Sequence, residues 1–159
     1  MGQACDSEGI DNPLAGLSVG YQPLEWPPCR RSPSLLQRLC RWWCLGSDYA
    51  TWRELRRQLG RRGPESRKCW GRDSLRIRTV ADVSTIVADS LEWPNTYFVP
   101  NDPCQLIFFD PTPDLLCEEA LMRISLEYGV PDEVWEKLWS MMYGELIDAI
   151  LRASSRRPC

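Results

Sequence analysis

Apolar residues recur every three or four positions through the second half of this chain, and that period commits the segment to helices. Val80, Val83, Val87 and Leu91 share one stripe, and Leu116, Ala120, Ile124 and Tyr128 share another. A third follows in Val134, Leu138, Met142, Leu146, Ile147, Ile150 and Leu151. Side chains spaced in this way line one face of a helix, and such a face must be buried against another element. The punctuation agrees: Thr79 and Asp82 form a capping pair, Pro113 and Gly129 bracket the next helix, and Asp132 and Glu133 follow Pro131 at the positive end of a dipole. The expected fold is mainly α, a small helical bundle over residues 79–152, with Val83, Val87, Leu116, Ala120, Ile124, Leu138, Ile147 and Ile150 buried. Gly144 is placed to divide the last helix in two. Between the stripes, Leu106-Ile107-Phe108-Phe109 reads either as a short strand near 105–109 or as the inward side chains of a long loop, because so short a run has no decisive period.

The first half is less regular. Residues 1–33 scatter Gly, Pro, Asn and Ser among isolated apolar residues, which describes an irregular arm or an extended strap. Residues 34–60 are expected to form two short basic and aromatic helices. The first follows Ser34 and carries Leu35, Leu36, Leu39, Trp42 and Trp43; the second runs from Tyr49 to Leu59, capped by Asp48 and stopped by Gly60. Residues 61–78, with their glycines and arginines, read as a basic loop and the main boundary, and residues 153–159 as a frayed tail. No internal repeat organises the chain.

Charge divides along the same line. Residues 1–81 hold 14 Lys or Arg against 8 acids, whereas residues 82–159 hold 5 against 14. The acidic half repels anions such as phosphate backbones, so a nucleic-acid role would fall to the first half. There, Arg53, Arg56, Arg57, Arg61, Arg62, Arg67, Lys68, Arg72, Arg76 and Arg78 with Trp52 and Trp70 are read as a solvated face that neutralises the acids, in preference to a nucleic-acid site.

The chain has no histidine, which removes histidine-based nucleophile systems, general bases and metal ligands. Its eight cysteines, at 5, 29, 40, 44, 69, 104, 117 and 159, contain no Cys-x-x-Cys and are expected to be free thiols with no metal and no structural disulfide. No run approaches the roughly 18 apolar residues of a membrane span, and no charged leader precedes an apolar core, so the expectation is a cytoplasmic protein without a membrane role. The start Met1-Gly2-Gln3-Ala4-Cys5-Asp6-Ser7 places its hydroxyl one position late for myristoylation. Neighbouring acids such as Glu118-Glu119 and Asp132-Glu133 point about 100 degrees apart on a helix and do not converge as an acid and base pair. No catalytic constellation is evident.

The order of these segments carries a resemblance. Tyr128-Gly129-Val130, Pro131-Asp132-Glu133 and Gly144-Glu145, set after a helix and a long Pro-rich loop, resemble the acyl carrier proteins over about residues 79–152. That likeness implies a bundle in which a serine at the start of the second long helix receives phosphopantetheine. Here Pro113-Asp114-Leu115 stands at that place and offers no hydroxyl. Asp73-Ser74-Leu75 and Asp89-Ser90-Leu91 contain the family's tripeptide elsewhere; Ser74 is the rival cofactor-binding candidate, read otherwise as a loop serine, and Ser90 reads as solvated surface.

The leading expectation is a non-catalytic protein-interaction module without a cofactor. Its partner, a protein with a basic surface, would meet Asp114, Glu118, Glu119, Glu127, Asp132 and Glu133. The alternatives are a divergent carrier bearing phosphopantetheine, and an antitoxin or immunity protein that neutralises a basic enzyme by charge complementarity.

Overall fold

The computed structural model describes residues 21–27, 45–112 and 115–155. These form a mainly α bundle with no sheet among the described residues; the one extended pairing there is an isolated antiparallel bridge between Pro103 and Met142. The helix expected after Ser34 lies outside the described residues, as does Asp114.

Helix α1, Leu45–Gly60, turns Thr51, Leu55 and Leu59 inward at four-residue spacing. It begins before Asp48, so this acid sits within its first turn and is not the cap. Residues 61–78 are structured: a 3-10 helix, Pro64–Trp70, starts on a proline whose missing N–H is no loss there, and closes at Gly71, whose φ of 82° suits a residue without a Cβ. Trp70 is buried, and its indole N–H donates to the Phe98 carbonyl at 3.0 Å.

Helix α2, Ser74–Ser90, starts five residues before the Thr79 pair. Asp73 is its cap, accepting from the Leu75 amide at 2.9 Å and from the Arg76 amide at 3.5 Å, while Thr79 is buried within the helix. Val80, Val83 and Val87 face the core, as do Ser84 and Ser90. Residues 104–109 form neither a strand nor an open loop. Cys104–Ile107 is a single helical turn, α3, with Cys104, Leu106, Ile107 and Phe108 all buried.

Helix α4, Leu115–Tyr128, is capped from a distance: the Asp110 carboxylate accepts from the Leu116 amide at 3.1 Å and the Cys117 amide at 3.4 Å. It ends at Gly129, in the left-handed region with φ of 64°. Ala120 and Ile124 are fully buried; Leu116 packs against the core while partly exposed. Helix α5, Asp132–Lys137, runs into a 3-10 turn, Leu138–Ser140, before α6, Tyr143–Ser154. The break therefore falls at residues 138–142 and not at Gly144, and it leaves Met142 exposed while Leu138, Leu146, Ile147 and Ile150 are buried. Gly144 serves a close approach instead, since a Cβ there would lie 3.1 Å from the Pro100 Cβ. The last helix also extends past residue 152 to Ser154.

Helix α2 is the centre of the bundle, packed chiefly on α4 and also on α6 and the first 3-10 helix. The Tyr143 hydroxyl meets Ser84 Oγ across the α2–α6 contact at 2.8 Å. One continuous buried cluster joins Leu24, Leu55, Leu59 and Trp70 to the side chains of α2, α4 and α6.

Residues 21–27 cross this bundle as a strap without helix or strand. A buried ion pair holds it. Asp102, fully buried, accepts from Arg62 through both carboxylate oxygens, at 2.7 Å and 2.6 Å, and from the amides of Leu24 at 2.7 Å and Val99 at 2.8 Å. Arg62 also donates to the carbonyls of Gln22 at 2.8 Å and Tyr97 at 3.2 Å. The tetrapeptide Leu-Glu-Trp-Pro occurs twice, in the strap at 24–27 and after α2 at 91–94, which corrects the expectation of no repeat at the scale of a few residues. Both copies bury their leucine, and both tryptophans reach the α3 region: the Trp93 indole donates to the Ile107 carbonyl at 2.8 Å, and the Trp26 ring meets the Phe109 ring edge-on at 5.9 Å.

Candidate interaction surface

Helix α4 buries one side and presents the other, so its outward residues follow from phase alone. Ala120 and Ile124 point into the core, and a residue two positions away lies on the opposite half of the helix. Met122 and Leu126 are accordingly exposed, at 59% and 74%. Glu118, four residues before Met122, extends the same stripe, so that a carboxylate and two large apolar side chains share one outward line. Glu119 lies beside it and pairs with Arg123 at 3.9 Å, while Arg123 also donates to Ser90 Oγ at 3.1 Å.

Of the six acids read from the sequence, the five that lie among the described residues do not form one cluster. Glu118 and Glu119 are exposed near the start of α4. Glu127 is exposed near its end, nine residues from Glu118 and thus about half a turn around and about 13 Å along the axis. Asp132 and Glu133 are exposed in the first turn of α5. Beside the α4 stripe runs a groove of about 370 Å³ lined by Phe108, Phe109, Cys117, Leu121 and Trp139, with Asp110 and Glu118 as the charged residues among its described lining. Trp139 is 54% exposed.

No known protein family, curated protein or solved structure matches this chain. The geometry of the surface therefore carries the reading.

Ser74 is not a loop serine. It is the exposed first residue of α2, beside the capping Asp73 and the exposed Leu75 and Ile77. Ser90 is buried and not solvated surface. Cys69, Cys104 and Cys117 carry free thiols, and among the described residues no group of three or more Cys, Asp or Glu side chains is arranged to hold a metal ion. Burial pushes the Cys104 thiol up to about 12, with the nearby Glu145 and Asp102 charges adding to it. Tyr128 is likewise pushed up to about 12, first by burial and then by the Asp82 and Glu127 charges; its hydroxyl donates to Asp82 at 3.4 Å. Among the described residues no helix is long and apolar enough to cross a membrane.

The sequence expectation names the acids and leaves out the exposed apolar residues between them. The signal was present in Glu118, Met122 and Leu126, a second four-residue stripe out of phase with Ala120 and Ile124. Trp139 offered no such signal, because the 3-10 turn that turns it outward depends on tertiary packing.

Proposed function

We propose that this protein is a non-catalytic protein-interaction module whose docking surface is the outward face of α4. The observation that carries the reading is the exposure of Met122 and Leu126 on one line with Glu118. Large apolar side chains on a helix surface, flanked by acids, suit a partner that presents apolar anchors within a basic surround. The apolar pair supplies most of the affinity once dehydrated, and Glu118 and Glu119 steer the encounter and fix orientation. A photo-crosslinking residue at Leu126 of the full chain tests this. The expected result is a discrete crosslinked partner whose yield falls with added salt and with the E118K/E119K substitution. Crosslinks indifferent to both would refute the reading.

The second reading, a divergent carrier bearing phosphopantetheine, is favoured by one observation, the exposed Ser74 on the first turn of a 17-residue helix. Incubation with coenzyme A and a broad phosphopantetheinyl transferase, followed by intact-mass measurement, separates the two. An unmodified chain supports the interaction reading, and one added prosthetic group on Ser74 replaces it with the carrier reading.

A further inference from the structure

The strap is held in the way a bound peptide is held. Its contacts with the Arg62–Asp102 pair go through its main chain: the Gln22 carbonyl accepts from Arg62 at 2.8 Å, and the Leu24 amide donates to Asp102 at 2.7 Å. The Glu25 amide and carbonyl exchange a reciprocal pair with the Gln58 side chain, at 3.0 and 3.1 Å. Side chains add the anchors. Leu24 and Pro27 are buried, and Trp26 lies edge-on to Phe109. Main-chain capture with alternate side-chain anchors is the general means by which proteins bind extended peptides.

The receiving groove is also held by contacts outside the strap. Arg62 and Asp102 hold each other, the Val99 amide holds Asp102, and the Tyr97 carbonyl holds Arg62. Asp102 is fixed further by its own backbone, since its amide donates to the Val99 carbonyl at 3.0 Å and its carbonyl accepts from the Tyr143 amide at 2.8 Å. A cavity of about 430 Å³ flanks the strap between Gln22, Glu25, Gln58 and Arg61.

We infer that this groove is an exchangeable peptide-binding site for an extended segment of the Gln-Pro-Leu-Glu-Trp-Pro type, and that a second copy of this chain supplies that segment in trans. Residues 21–27 of a second copy present the same donors, acceptors and anchors, so exchange recreates each contact and opposes only the entropy of association. The tether permits it. The seventeen residues 28–44 that join Pro27 to Leu45 reach at most about 60 Å.

The test uses the full chain and a fluorescently labelled synthetic peptide of residues 20–28. In the wild type the tethered strap competes at an effective concentration in the millimolar range, so the L24A/W26A chain should bind the peptide at least about tenfold more tightly than the wild type. Light scattering should show a dimer fraction that grows with wild-type concentration and is absent in L24A/W26A. Equal peptide binding by two folded chains, or a wild type that stays monomeric across the concentration series, would overturn the inference. Should L24A/W26A lose its helical circular dichroism, hydrogen exchange of the wild type decides. Exchange of the Leu24 and Glu25 amides ahead of Val83 and Ile124 supports a strap that opens locally, and exchange only together with them overturns it.

Discussion

Replacing Asp102 with Ala removes the hub of the strap and leaves Arg62 behind. The carboxylate accepts four hydrogen bonds, two from Arg62 and one each from the Leu24 and Val99 amides. The Arg62 side chain is only 7% exposed, so its charge cannot simply return to water. Breaking a buried pair by deleting one partner costs about 3–5 kcal/mol. Arg62 keeps its bonds to the Gln22 and Tyr97 carbonyls, which places the pair's share near the lower end. The two amides left without an acceptor raise the total to about 5 kcal/mol or more, which is the lower end of the 5–15 kcal/mol typical of a domain. Urea unfolding followed by circular dichroism measures this as a lower midpoint at an unchanged slope. The R62M/D102L chain should lose less than the single variant, because it takes both charges out of the interior. The reasoning fails if Asp102→Ala stays within about 1 kcal/mol of wild type, or if the double variant loses the sum of the two single ones.

Ile124→Ala should cost about 2–5 kcal/mol in the same assay, since Ile124 is fully buried where α4 meets α2; a loss below about 1 kcal/mol would place it outside the core. Gly144→Ala should destabilise by about 1–3 kcal/mol through the contact with Pro100, and a neutral or stabilised chain would show that this loop yields. The Tyr128 phenol keeps its proton up to about 12 in the fold, against 10.0 ordinarily, so its contribution to stability is complete below pH 10 and is lost as pH rises toward 12. Tyr128→Phe should flatten the fall in melting temperature across that window, and an unchanged slope would assign the fall to other groups.

The parts of the fold legible in the sequence are those with a local cause. The α2, α4 and α6 stripes are set by a period that the chain carries in itself, and seven of the eight residues named as core are buried; Leu116 is partly exposed. The start of α2 was misplaced because Asp73 caps it as well as any residue in a capping pair, and Thr79 gives no sign of being buried. The turn at 104–107 has no readable period, since a single turn surrounded by Phe98, Phe108 and Trp93 is held by its neighbours. The Arg62–Asp102 pair spans forty residues and no local pattern announces it. At the surface, the exposure of Glu118, Glu119, Glu127, Asp132 and Glu133 was legible from polarity, whereas their separation around α4 follows only once the phase of the helix is fixed.

The two Leu-Glu-Trp-Pro copies give the folding reaction a distinct order. The copy at 91–94 closes a contact only fourteen residues long, from Trp93 to Ile107, while the strap must find Asp102 across 78 residues. Chain-closure entropy favours the near copy, and Glu92, with φ of 55°, takes a left-handed conformation that Glu25 in the strap does not. Strap docking is thus the expected final step, after the rate-limiting barrier. Leu24→Ala should then accelerate unfolding and leave the folding rate almost unchanged, whereas a slower folding arm would move the strap into the nucleus.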